Sequence, residues 1–344
     1  MRPSMNTRNQ SHSLLLALAL TALAAGGPTL ARDRDAQPGE TRVFTLEPSM
    51  QGNNPEGIAF DKSSGAFFVG AVRDVFGGAD SPLDGAIYRG TLDTPTLTVF
   101  IPGAPGNEAA GMKVFRGQLY VAGGFSGTVR VYDIATRGLV ASFEGFGAGM
   151  LNDLVVTNKG DVFITDSFEP TLWHITAAQV AAGGGPPEDI QGIPMAPDIA
   201  YVDFDFNLNG IVALNGGHSL IVVQSSTGKL FRIDLDANAL YGREIHEIAA
   251  EPLFGDGLLM DRGRLVVVTF APDFTLTFVK LDRRAERGTV VERRTDPTLR
   301  GPSTVARARN FYLVVNADFE TGTTPFTVTG LPRNSEEDGD EDNE

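Results

Sequence analysis

The sequence has no cysteine, only four histidines and a single tryptophan among 344 residues. Without thiols there is no disulfide, no thiolate nucleophile and no zinc site built on sulfur. His174, His218 and His246 lie far apart with no ligand spacing between them, so they read as surface or core side chains. Positive charge is scarce: 28 Lys and Arg face 43 Asp and Glu, a formal net charge of −15. Such a chain is a poor partner for nucleic acid or an anionic membrane. Part of the acidity is confined to Glu336-Glu337-Asp338-Gly339-Asp340-Glu341-Asp342, within a tail (residues 333–344) that reads as disordered and solvated. Beyond the N-terminus no apolar run is long enough to span a bilayer. There is no phosphate loop, and Gly124-Phe125-Ser126-Gly127 is not a nucleophile elbow, because Thr128 holds the place of the last glycine.

What the chain does contain begins with Arg2 and Arg8 ahead of the apolar run Leu14–Ala25, followed by small residues and Pro28. This is the pattern of a signal peptide over residues 1–31, cleaved between Ala25 and Ala31, and it predicts a periplasmic or secreted protein. The rest is rich in glycine, 40 residues, set between short apolar runs, with 42% hydrophobic residues overall. That balance suits an all-β protein with a substantial core.

The apolar runs recur in register. Leu151-Asn152-Asp153-Leu154-Val155-Val156, a turn at Asn158-Lys159-Gly160 and Val162-Phe163-Ile164-Thr165-Asp166 form one hairpin pattern. Similar hairpins start at Pro55-Glu56-Gly57, Leu208-Asn209-Gly210 and Gly255-Asp256-Gly257, with weaker ones at Ala110-Gly111-Met112 and Pro302-Ser303-Thr304. A third strand follows in most repeats, as in Gly127–Asp133, Thr171–Ile175 and Gly228–Asp234, and often a fourth, as in Thr96–Phe100. A short helix is predicted over Ala177–Ala182. Repeats of about 40 to 50 residues holding several short strands mark a β-propeller. The expectation is therefore a six-bladed β-propeller over residues 32–332, with four-stranded antiparallel blades around a central channel. Thr41–Leu46 precedes the repeats and is suited to complete the last blade as its outer strand, removing an exposed edge. A double β-sandwich would supply as many strands but needs no motif at this spacing.

The first strand of a propeller blade lines the channel, so equivalent positions form a ring. The six opening residues read as Glu56, Ala110, Asn152, Asn209, Asp256 and Pro302. Glu56, Asn152, Asn209 and Asp256 offer two carboxylates and two amide carbonyls, a hard-oxygen set that suits Ca²⁺, which takes six to eight oxygens at about 2.3–2.6 Å. Magnesium and manganese stay open on oxygen ligands alone. Taken singly, each of these residues also fits a turn or cap. Asp166 reads as a turn acid or as support for the ring.

Pro55-Glu56-Gly57, Asn152-Asp153, Asn209-Gly210 and Asp256-Gly257, in that order, resemble the family of senescence marker protein, gluconolactonase and luciferin-regenerating enzyme. Its wider group includes diisopropyl fluorophosphatase, paraoxonase and strictosidine synthase-like proteins. The resemblance runs from Pro55 to about Leu331. It implies a calcium-bearing six-bladed propeller, with Glu56, Asn152, Asn209 and Asp256 as metal ligands and Asp256 as general base or nucleophile. The implied activity is hydrolysis of a small-molecule lactone or related ester, with Asn152 also orienting substrate. Sugar-lactonase members carry an arginine two residues before the repeat-three asparagine; here that place is Met150. The departure favours a less polar substrate or a lost activity, with Phe76, Phe125, Met150, Phe168 and Phe270 as pocket walls. Two other readings stay open: a non-catalytic calcium-stabilised propeller that binds a ligand or protein, and a phosphotriesterase or strictosidine synthase-like enzyme.

Overall fold

Apolar runs of four to nine residues, divided by glycine or asparagine turns, can satisfy their backbone groups only by pairing with one another. The computed structural model describes residues 39–48, 53–73, 80–146, 149–185, 190–235 and 243–333. The signal segment, residues 334–344 of the acidic tail and Phe76 lie outside the described residues, whereas Arg333, the first residue of the expected tail, is described and bonded to Asp261. The strands, in chain order, are β1 (Arg42–Glu47), β2 (Asn53–Asp61), β3 (Ala66–Arg73), β4 (Ile87–Thr91) and β5 (Thr96–Ile101). Next come β6 (Met112–Phe115), β7 (Gln118–Ala122), β8 (Thr128–Asp133) and β9 (Leu139–Glu144). Then follow β10 (Leu151–Val156), β11 (Val162–Asp166), β12 (Thr171–Ile175), the helix α1 (Ala177–Ala181) and β13 (Gln191–Pro194). The fourth group is β14 (Leu208–Leu214), β15 (Ser219–Gln224), β16 (Lys229–Leu235) and β17 (Arg243–Ile248). The last are β18 (Gly255–Asp261), β19 (Arg264–Thr269), β20 (Thr275–Leu281), β21 (Gly288–Arg294), β22 (Pro302–Ala308), β23 (Phe311–Asn316) and β24 (Thr327–Pro332). Helix α1 starts with a capping box between Thr176 and Gln179.

The fold is all-β and propeller-like. Four sheets have four strands each: β6 to β9, β10 to β13, β14 to β17 and β18 to β21. One sheet has eight, in the order β2-β3-β4-β5-β1-β24-β23-β22. Six separate four-stranded sheets were expected, and β1 is the reason for the difference. It lies antiparallel to β24, pairing Arg42 with Gly330, and parallel to β5, pairing Thr45 with Thr96. The first and last repeats are therefore joined edge to edge through the strand that precedes both.

Side chains on each middle strand alternate between two cores, as the period of a strand requires. Val162 and Ile164 of β11 pack with Val129 and Val131, whereas Phe163 packs with Leu220 and Val222 of the following sheet. Leu265 and Val267 of β19 face Ile221 and Val223; Val266 and Val268 face Tyr312 and Val314. Phe67 and Val69 of β3 face Leu313 and Val315, while Phe68 faces Leu119 and Val121. Apolar seams thus run between successive sheets and return to the first. Both faces of these strands are buried, which is why they read as unbroken apolar runs.

A polar clamp joins β18 to the last repeat. Asp261 is 2% exposed. Its carboxylate accepts hydrogen bonds from Tyr312 Oη at 2.6 Å, Arg307 at 2.8 Å and Arg333 Nε at 3.1 Å. Burial alone would raise this carboxyl, but the bonds from Tyr312 and Arg307 and the charges of Arg333 and Arg307 hold it below its ordinary 3.8. A carboxyl depressed on folding adds stability that is complete above its unfolded value and is lost as pH falls through the folded one. Asp261→Ala is expected to lower the unfolding free energy by about 3–5 kcal/mol near neutral pH. Denaturant titrations from about pH 5 down to about pH 2 will then show a shallower acid loss in the variant than in the parent.

Candidate metal and substrate site

The inner strands break register at one equivalent place. Pairing with the second strand shifts between Pro55 and Ile58, Leu151 and Leu154, Leu208 and Ile211, Gly255 and Leu258, and Pro302 and Val305. A bulge leaves an extra residue out of the ladder and re-aims its side chain. Glu56, Asn152, Asn209 and Asp256 each sit first in such a break, so they lie within β2, β10, β14 and β18 and not ahead of them. In β22 the equivalent residue is Ser303. The alignment of the sixth repeat on Pro302 was one residue early, because Pro302 matches Pro55 and Leu151.

At this level the inner strands crowd against one another. A Cβ added at Gly57 would stand 1.9 Å from the Ala110 carbonyl oxygen, and one at Gly210 would stand 2.4 Å from that of Asp256. Polar links tie the same backbones. Gly111 N donates to Asn152 O at 2.7 Å, Thr165 Oγ1 to Asn209 O at 2.6 Å, and Ser303 Oγ to Glu56 O at 2.7 Å. The glycines after Glu56 and Asn209 answer this close approach and not turn geometry.

Glu56, Asn152, Asn209 and Asp256 line one cavity of about 720 Å³. Each carries a buried oxygen with no hydrogen-bond partner among the described residues: Glu56 Oε2, Asn152 Oδ1, Asn209 Oδ1 and Asp256 Oδ1. The amide of Asn152 is locked. Ser167 Oγ donates to Leu208 O at 2.8 Å, which leaves only lone pairs to receive Asn152 Nδ2 at 2.9 Å. Its nitrogen is thereby turned to Ser167 and its oxygen left over. The Asn209 side chain bonds to the Asp256 carboxyl.

Burial, and then the negative charge of Asp153, push the Asp256 carboxyl up to about 8, against the bond from Asn209. Burial first, then Asp256 and Asp153, raise Glu56 well above its ordinary 4.5, and Lys113 offsets part of this. Lys113 Nζ lies 3.2 Å from Asp153 Oδ1. Two buried acids and two orphaned carbonyls lining one cavity are the donor types that suit a hard divalent cation.

Above this floor the walls are apolar. Met150 and Phe270, both anticipated, line the cavity, with Phe206, Phe254, Phe274 and Phe319, which sequence reading missed. Phe125 and Phe168 do not line it. They join it through stacking, Phe125 on Phe168 at 5.7 Å and Phe168 on Phe206 at 5.2 Å between ring centres. The missed phenylalanines share a signal: each precedes an inner strand or lies between the second and third strands of a repeat. Asp166 supports the site as well as a turn. It accepts from Met150 N, Phe168 N and Glu169 N and from Trp173 Nε1. Glu108, also unanticipated, is buried and binds Arg73 Nε at 3.2 Å and Phe125 N at 2.6 Å.

The described histidines, His174, His218 and His246, do not line the cavity. His174 is buried, stacked on Phe163 with ring centres 4.6 Å apart, and bonded through Nδ1 to Gln191. His246 lies 3.5 Å from Glu244 and 3.6 Å from Asp234, a cross-strand group of which only Glu244 is exposed and in which Asp234 already pairs with Arg232.

Neither a family model nor a curated protein sequence matches the chain. Solved structures do. A luciferin-regenerating enzyme superposes with a TM-score of 0.58 at 12% identity, over 85% of this chain and 95% of its own. A calcium-binding protein, regucalcin, from Agrobacterium tumefaciens superposes with 0.57 at 17% identity, over 84% and 97%. The periplasmic gluconolactonase of Pseudomonas aeruginosa follows with 0.54 at 16% identity, over 82% and 86%. At these identities the likeness is one of fold.

The crowding at the inner ring leads to a direct test. Gly210→Ala places a methyl against the Asp256 carbonyl and is expected to cost about 1–3 kcal/mol by overpacking. Thermal unfolding of the two proteins measures it, with Gly263→Ala, which meets nothing within 4 Å but has φ +71°, as the control for backbone strain alone.

Proposed function

We propose that this chain, which carries the fold of the senescence marker protein, gluconolactonase and luciferin-regenerating enzyme family, is an exported metal-dependent hydrolase of lactones or related esters. The architecture is read as a six-bladed propeller, with the eight-stranded sheet counted as two blades joined through β1. Export rests on the signal-like N-terminus and agrees with the periplasmic name of one structural relative. The observation that carries the reading is the set of four unpartnered buried oxygens on Glu56, Asn152, Asn209 and Asp256.

Those four residues would hold the cation, with Ca²⁺ favoured by the all-oxygen set. A cation bound there supplies Lewis-acid polarisation of an ester or lactone carbonyl. Asp256 would hold the cation through Oδ1 and take the proton of the attacking water at its other carboxylate oxygen. Asn209 restrains that carboxyl so that it does not rotate between turnovers. Asn152, fixed through Ser167, presents Oδ1 at a constant position beside the reacting group. A ligand lying against the phenylalanine walls would displace water from the space above the floor, which strengthens the polar contacts there.

A second reading has an observation of its own. Met150 replaces the arginine of sugar lactonases, and one structural relative is described as a calcium-binding protein. In that reading the cation ties the inner strands together and the cavity binds without turnover.

One experiment separates the two. Protein stripped with chelator and returned to Ca²⁺ at about a hundredfold excess over Kd is expected to gain about 2.7 kcal/mol of stability. That gain is expected to vanish in Glu56→Gln. Turnover of a panel of γ-lactones and aryl esters is expected to need Ca²⁺ and to fall by about 10²–10⁴-fold in Asp256→Asn. Stabilisation by Ca²⁺ without turnover of any panel member decides for the binding propeller. No stabilisation at all removes both readings.

A further inference from the structure

The lining of the cavity divides its polar atoms into two classes. Those on the floor are unpartnered, as described. Those higher up, apart from the exposed carboxylate of Glu320, are mostly committed to the protein. Ser225 Oγ donates to Gly255 O at 2.6 Å, and Ser226 Oγ bonds Asn207 Oδ1 at 3.1 Å. Thr321 Oγ1 bonds Asp318 Oδ1 and Thr323 Oγ1, both at 2.7 Å. Arg300 reaches Pro325 O at 3.0 Å and lies 3.9 Å from Asp318. A ligand bearing many hydroxyls would find few partners beyond the floor, Arg300 and the exposed Asp205 and Glu320, and would set much of its surface against phenylalanine. Buried hydroxyls without partners are costly, so such a ligand is selected against.

The apolar side of the cavity shows the opposite surplus. Phe254, Phe270 and Phe274 are 36%, 39% and 38% exposed, and all three face the same space. Single exposed apolar side chains are ordinary, but three converging on one cavity above a polar floor form a binding surface. Met150, two residues before Asn152, lines the same cavity and adds to that apolar surface.

We infer that the ligand of this cavity is a carbonyl compound, an ester or lactone, with a hydrophobic alkyl or aryl arm and few or no free hydroxyls. Its carbonyl end meets the four floor oxygens and their cation, and its arm lies along Phe206, Phe254, Phe270, Phe274 and Phe319. The inference rests on the hydrolase reading for the word ester, but the apolar arm stands on the lining alone.

The test therefore has a binding arm that needs no turnover. Calorimetry on the full chain with Ca²⁺ uses N-methyl-, N-butyl- and N-hexyl-2-pyrrolidinone, lactams that resist hydrolysis. Affinity is expected to rise by roughly fourfold per added methylene. In Phe270→Ser/Phe274→Ser the hexyl compound should lose at least about tenfold in affinity, and the methyl compound much less. A kinetic arm compares γ-hexyl-γ-butyrolactone with a polyhydroxylated δ-lactone, and kcat/KM is expected to favour the former by more than about a hundredfold. Affinity that does not depend on chain length, or is the same in the double variant, overturns the inference. So does a preference for the polyhydroxylated lactone, which would leave hydrolysis standing. Chain-length-dependent lactam binding with no lactone turned over upholds the apolar ligand and removes hydrolysis instead.

Discussion

Inner strands β2, β6, β10, β14, β18 and β22 touch in cyclic order, β22 returning to β2, and at one level they approach until backbone meets backbone. This crowding is the constraint from which the site follows. Where Gly57 and Gly210 lie, no Cβ fits. The residue before each glycine cannot point sideways into a neighbouring strand, and the bulge turns it out of the ladder instead. Five of these strands carry the bulge at the same place. The side chains so displaced are Glu56, Asn152, Asn209, Asp256 and Ser303, and the first four bring oxygens that no described residue satisfies.

Leaving those oxygens unsatisfied is destabilising. A buried carboxylate without a partner costs several kcal/mol, and the negative charge of Asp153 adds to that cost at both, with Asp256 adding to it at Glu56. Lys113 relieves part of the strain on Glu56 but is already bound to Asp153. The surplus that tolerates this arrangement comes from the seams between sheets. Each fully buried Leu, Ile, Val or Phe contributes about 1.5–3 kcal/mol, and the seams hold dozens of them, Phe67, Phe163, Ile221 and Val267 among those with no more than 1% exposure. The balance is decided far from the cavity, so chemistry at the floor can be unfavourable without threatening the fold.

This division explains what could be read from sequence. A strand buried on both faces is an unbroken apolar run, and its repetition with glycine turns is visible at once; the hairpins opening near Glu56, Asn152, Asn209 and Asp256 all exist. The parallel pairing of β1 with β5 was not visible, because an edge strand carries no mark of how many neighbours it takes. The register of the sixth repeat was misplaced at Pro302 because a bulge has no residue signature of its own, and proline drew the alignment to the wrong side of it. Ser303 was thereby overlooked. Of the expected walls, Met150 and Phe270 line the cavity, but Phe125 and Phe168 reach it only through Phe206. Loop side chains depend on how loops fold over one another, and periodicity says nothing about that.

Asp166 shows how one residue at a loop start sets the character of the cavity. Its carboxylate holds Met150, Phe168 and Glu169 by their backbone amides and Trp173 by its indole. The donors come from both sides of the repeat, so the loop before β10 and the loop after β11 are fixed to each other. A thioether is thereby placed two residues from Asn152, and a phenyl ring against Phe206. An arginine at position 150 would bring a charge and up to five donors into this space; methionine brings neither. The inner ring supplies the oxygens because the strands are crowded, and it would do so under any loops. What stands above those oxygens is decided by short segments such as this one, whose backbone is held by a buried carboxylate and whose side chains are free to set the polarity of the site.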